Sequence, residues 1–121
     1  MNTFQKFVKK YGLTLNCEKV SVRKDGLLKG EKLNHFQCIL SRKDKDYTFF
    51  YSQDLDNENF PTITDILKGF KLDLSYDFDD PYFFEFCEDW GINHHAIFAE
   101  REALQVFFGG KLIEELLAIT E

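Results

Sequence analysis

Between Cys87 and His95 the chain brings together Cys87, Asp89, His94 and His95, residue types that bind zinc or run acid/base chemistry. Their spacing argues against both. Adjacent histidines diverge on a helix, and no second ligand pair follows at the spacing of about two to four residues that a structural zinc site uses. The two histidines read as the start of a helix and its solvated surface, so no metal and no cofactor is expected. Nucleophilic catalysis needs a Cys or Ser beside a His oriented by an acid, but Cys87 falls on an apolar helix face, where a thiol stays protonated. Asp79 and Asp80 could form a carboxylate pair for acid/base or glycosidic work; a helix cap and its neighbour explain them better. Gly109-Gly110 lacks the Lys-Ser/Thr that completes a phosphate loop, and Gly26 and Gly30 belong to no dinucleotide fingerprint. No catalytic residue is assigned and no enzyme activity is expected.

Charge is the stronger signal. The net charge is −6 over 121 residues, yet residues 1–53 carry 11 Lys+Arg against 5 Asp+Glu, while residues 54–121 carry 4 against 16. From Asp54 to Glu102 there are 13 carboxylates and three basic residues, Lys68, Lys71 and Arg101. Spaced carboxylates on a rigid helix can occupy the positions of nucleic-acid phosphates for a basic partner, and exposed aromatic residues can anchor such a contact. The stretch Tyr76 to Ile92 combines both features, which makes Asp77, Asp79, Asp80, Tyr82, Phe84, Glu85, Glu88 and Asp89 the candidate partner-binding residues. Glu88 and Asp89 would lie in the last turn of a helix, where the dipole disfavours carboxylates, so local stability does not explain them. The alternative is direct nucleic-acid binding by the basic first hairpin, through Arg23, Lys24, Lys29 and Lys32, joined by Arg42, Lys43 and Lys45 at the next turn.

The elements that must position these groups follow from hydrophobic period. Thr3 is the expected cap of a first helix, with Phe4, Phe7, Val8 and Tyr11 inward and Gly12 at its end. Leu13 to Arg23, His35 to Arg42 and Asp46 to Gln53 alternate as strands, and a parity switch near Glu18 predicts a β-bulge. Phe36, Cys38 and Leu40 define one face of the second strand; Ile39 and Phe50 point the other way and need cover or offer an apolar surface. The polar run Asp54 to Asn59 is the expected hinge. Thr62 and Asp65 resemble a capping box ahead of Ile63, Ile66, Leu67 and Phe70. Asp80 and Pro81 start a short helix with Phe83, Phe86, Cys87 and Trp90 inward, and Gly91 stops it. Asn93 caps a helix from about His94 to Phe108, with Ile97, Leu104 and Phe107 or Phe108 inward; Gly109-Gly110 breaks it before a final helix bearing Leu112, Ile113, Leu116 and Leu117.

The expected fold is α+β: a three-stranded antiparallel sheet with an N-terminal helix and a C-terminal layer of three to four helices, in one domain spanning residues 1–121, its basic half 1–53 and its acidic half 54–121. No apolar run is long enough for a membrane span and the N-terminus lacks a signal peptide's apolar core, so a cytoplasmic location is expected. Three cysteines, Cys17, Cys38 and Cys87, cannot all pair and are read as reduced and mostly buried.

F-V-K-K-Y-G at Phe7 to Gly12, Y-T-F-F-Y-S-Q at Tyr47 to Gln53, P-T-I-T-D-I-L at Pro61 to Leu67, F-E-F-C-E-D-W-G-I at Phe84 to Ile92 and F-F-G-G-K-L-I-E-E-L-L at Phe107 to Leu117 together resemble a family of small phage and prophage proteins of unassigned activity. The resemblance covers most of the chain. It implies a phage context, and small acidic phage proteins without catalytic motifs frequently block host defence. The expected partner is therefore a host defence protein or Cas effector, bound stoichiometrically in the host cytoplasm as by an anti-CRISPR inhibitor.

Overall fold

The computed structural model describes residues 2–20, 33–54, 56–75, 80–89, 91 and 93–120, the side chains of 33, 54 and 94 excepted. The elements are α1 (Thr3–Tyr11), β1 (Leu13–Val20), β2 (Leu33–Arg42), β3 (Lys45–Asp54), α2 (Ile63–Leu74), α3 (Tyr82–Asp89), α4 (His94–Phe108) and α5 (Gly110–Ala118). This is the expected α+β class, with an antiparallel sheet ordered β1-β2-β3. Among the described residues no helix is long and apolar enough to cross a membrane. The chain divides into two compact units, Val8–Ile63 and Met1–Phe7 with Thr64–Glu121.

In the first unit β1 pairs with β2 from Leu13↔Arg42 to Val20↔His35, and β2 with β3 from Leu33↔Asp54 to Arg42↔Lys45, each in an unbroken register. The β-bulge expected near Glu18 is absent: Glu18 faces Gln37 and Lys19 faces Phe36 in step. What changes along β1 is burial. Leu13 is buried, Leu15 and Cys17 are half-buried, Lys19 on the same face is exposed and Val20 on the other is half-buried, so the hydrophobic parity switches while the ladder stays in step. Phe36, Cys38 and Leu40 are fully buried on β2, as their alternation predicts. β2 and β3 are joined by Lys43-Asp44, with Lys43 at φ 54, a left-handed conformation that residues with a Cβ adopt only in tight turns.

The polar loop expected to hinge is tied to this sheet. Asn34 and Gln53 face each other across β2 and β3, and both side-chain amides donate to the Asn57 carbonyl, at 2.9 and 3.0 Å. Gln53 also donates to the Asn59 carbonyl, and Phe60 stacks edge-on against Phe36 at 5.2 Å. Asn34 is 4% exposed, so its amide has little water to fall back on. Asn34→Ala should lower stability by about 1–2 kcal/mol, read as a reduced urea midpoint at unchanged slope.

The second unit is helical. Its N-terminal cap is Asn2 rather than Thr3: the Gln5 N–H donates to Asn2 Oδ1 at 2.7 Å and the Asn2 N–H donates back to Gln5 Oε1 at 2.9 Å. That is a reciprocal capping box, and it displaces Thr3 into the helix because the third residue after Asn2 carries the long amide the box requires. Its core gathers Phe4 and Phe7 of α1, Ile66, Leu67, Phe70 and Leu74 of α2, Leu104, Phe107 and Phe108 of α4, and Leu112 and Leu116 of α5. Phe107 and Phe108 are both buried, 4.9 Å apart in a T-shaped pair, and Phe108 meets Phe7 at 6.5 Å. Ile63, Ile97 and Ile113 are only half-buried and Leu117 is 36% exposed, at the margins of their stripes.

Gly109 joins α4 to α5 at φ 78, ψ 162 and donates its N–H to the Gln105 carbonyl at 2.9 Å. That conformation is essentially restricted to glycine, whereas Gly110 is the first residue of α5, with space around it and no positive φ. Gly109→Ala should therefore destabilise by about 1–3 kcal/mol while Gly110→Ala is neutral or stabilising by up to about 1 kcal/mol. Thermal melts of the two single variants separate these outcomes.

Candidate protein-binding face

Helix α3 is held at both ends by its own sequence. The Asp80 carboxylate accepts the Tyr82 N–H at 2.9 Å and the Asp80 carbonyl accepts the Phe83 N–H at 3.0 Å, with Pro81 in the turn between them. At the far end Gly91 takes φ 67 and donates to the Glu88 carbonyl at 3.2 Å. Two residues seat the helix: Phe83 and Cys87 are 5% and 1% exposed, and Phe83 meets Phe98 of α4 edge-on at 6.2 Å.

Phe86, expected inward with them, is 39% exposed. At about 100° per residue, Phe84 and Phe86 each stand about 80° from the middle of the Phe83–Cys87 stripe, and Tyr82 about 120°. Their exposures follow that order, 48% for Phe84 and 71% for Tyr82. The helix touches the core along one narrow line, and Phe86 and Phe84 form two matching flanks. Trp90 lies outside the described residues.

Beyond those flanks the surface is acidic. Asp80, Glu85, Glu88 and Asp89 are all exposed, and α3 contains no basic residue. Of the sequence-derived candidates the structure thus brings Asp80, Tyr82, Phe84, Glu85, Glu88 and Asp89 onto one short exposed element; Asp77 and Asp79 lie outside the described residues. So do Arg23, Lys24, Lys29 and Lys32 of the alternative nucleic-acid site, while Lys43 and Lys45 are exposed at the β2–β3 turn. Phe86 is the surface aromatic that sequence reasoning missed, because a stripe drawn at i, i+3, i+4 and i+7 is wider than this helix's seat. On the sheet, Ile39 and Phe50 are 37% and 73% exposed on the side opposite Phe36, the uncovered alternative posed by their parity.

The Asn93 side chain caps α4 by accepting the His95 N–H at 3.0 Å, as expected. Among the described residues no three His, Cys, Asp or Glu side chains converge as metal ligands would. One titratable pair had no sequence signal, since its members are far apart in the chain. Asp73 on α2 and Glu100 on α4 are both half-buried and share a hydrogen bond. Burial foremost, then the Asp73 charge and hydrogen bond, push Glu100 up to about 7; burial also raises Asp73, against the lowering effect of the bond from Glu100. The pair can hold or release one proton near neutrality.

No family model matches the chain, and no curated protein or solved structure does either.

The raised Glu100 carboxyl sets a sign for pH dependence. The folded chain keeps a proton that an ordinary carboxyl releases near 4.5, so the associated stability is complete below that pH and is lost as pH rises through about 7. Glu100→Gln, which cannot lose that proton, should gain in melting temperature relative to the parent between about pH 5 and pH 8. A constant difference across that range would rule the shared proton out.

Proposed function

We propose that this chain is a stoichiometric protein-binding inhibitor, phage-encoded, that acts on a nucleic-acid-handling effector of a host defence system. The observation that carries this reading is the outward arc of α3, where Tyr82, Phe84 and Phe86 stand exposed beside Glu85, Glu88 and Asp89 on a helix without a basic residue. Exposed aromatic residues supply contact area at low entropic cost, and carboxylates spaced along a rigid element complement the Lys and Arg that line a nucleic-acid groove. The phage resemblance supports the choice of defence effector as partner. Two anchors, Phe83 and Cys87, keep the arc rigid, so little ordering cost falls on binding.

A guide-free Cas effector should be retained by the immobilised chain, and guide RNA should compete. Changing Glu85, Glu88 and Asp89 to Lys should weaken binding at least about tenfold, and Tyr82→Ala or Phe84→Ala by about 1–2 kcal/mol each, with an on-rate that falls as salt is raised. Undiminished binding by the charge-reversed chain would remove α3 from the interface.

A further inference from the structure

Two of the three cysteines meet. Cys17 and Cys38 are directly opposed in the β1–β2 register and their Sγ atoms are 3.0 Å apart, nearer than the roughly 3.5–4.0 Å of ordinary packing contacts. A disulfide asks for Cα atoms about 4.4–6.8 Å apart, and directly opposed residues of antiparallel strands lie about 4.5–5.5 Å apart, so the ladder itself supplies the separation. The two thiols differ in access. Cys38 is fully buried, whereas Cys17, on the outer strand β1, is half-buried.

From this geometry we propose that Cys17 and Cys38 are a site of peroxide oxidation that closes into a disulfide fastening β1 to β2. It is independent of the partner-binding face. Cys17, the half-buried member of the pair, attacks one oxygen of hydrogen peroxide as its thiolate. The O–O bond breaks, a sulfenic acid forms on Cys17, and the departing hydroxide takes a proton to leave as water. The Cys38 sulfur, losing its proton to solvent, then attacks the Cys17 sulfur and expels the sulfenic hydroxyl as a second water. Two thiols are oxidised and one peroxide is reduced, with no other reactant.

The asymmetry of the pair orders these steps. Burial first, then the hydrogen bond and charge of Cys17, push the Cys38 thiol up to about 12, which keeps it protonated and unreactive while Cys17 is reduced. Once Cys17 carries the sulfenic oxygen, a neutral group, its thiolate charge no longer opposes ionisation of Cys38. β1 is an edge strand of the sheet, so the bond joins an edge to the centre.

The full-length chain treated with hydrogen peroxide should lose two hydrogen masses as a monomer, with a peptide crosslink between residues 17 and 38, Cys87 still a free thiol, and a melting temperature raised by several degrees until dithiothreitol reverses it. In Cys38→Ala the reaction should stop at the first step, and dimedone should trap at least about tenfold more sulfenic acid on Cys17 than in the parent. Sulfenic acid accumulating on Cys17 of the parent, a crosslink to Cys87 or between molecules, or no reaction at Cys17 under conditions that oxidise free glutathione would each overturn the proposal. The crosslink map of the parent decides the matter even if Cys38→Ala does not fold.

Discussion

Side chains that meet across the sheet at Cys17–Cys38, His35–Ser52 and Ser41–Asp46 are register partners, so the unbroken antiparallel pairing of β2 with both neighbours is the constraint on which the first unit depends. Cys17 meets Cys38, the His35 ring meets Ser52 Oγ at 2.6 Å, Ser41 donates to Asp46 at 2.6 Å, and Asn34 and Gln53 reach one carbonyl from facing positions. A slip of one residue would turn Phe36, Cys38 and Leu40 from the buried face to the face that bears Ile39 and Phe50. It would also separate each polar pair. Apolar burial and polar pairing therefore select the same register, and each makes an alternative alignment costly on the other's terms.

The helical unit relies on a different device, in which chain reversals are set by single residues. Gly91 and Gly109 take positive-φ conformations that residues with a Cβ rarely adopt, while Asn2, Asp80 and Asn93 accept the first free N–H groups of α1, α3 and α4. With its ends held in this way, the buried residues of α3 are Phe83 and Cys87, and Tyr82 and the carboxylates stay exposed. The carboxylates of its last turn oppose the helix dipole, a local cost consistent with selection for something other than the helix.

Much of this was legible in the residues themselves. The bounds of α4, the caps Asp80 and Asn93, the stop at Gly91, the break at Gly109 and the Phe36–Cys38–Leu40 face all come from capping chemistry and from periods of two or 3.6, which act over a few residues. The errors share a cause as well. Thr3 lost the cap to Asn2 because two residue types could each do the work and only Asn2 has Gln5 three places on. The parity switch near Glu18 follows the cover on each face of β1 and needs no bulge, and the exposure of Phe86 depends on how wide a seat the neighbouring elements offer, which spacing does not reveal.

The candidate site divides along the same line. The acidic and aromatic content of residues 76–92, and the helix that carries part of it, were determined by the sequence alone, since composition and caps are local properties. Which aromatics face outward, that Cys17 stands against Cys38, and that burial beside Asp73 raises the Glu100 carboxyl were decided only by the tertiary structure. Each depends on the distance and burial between segments far apart in the chain, and a linear pattern carries neither.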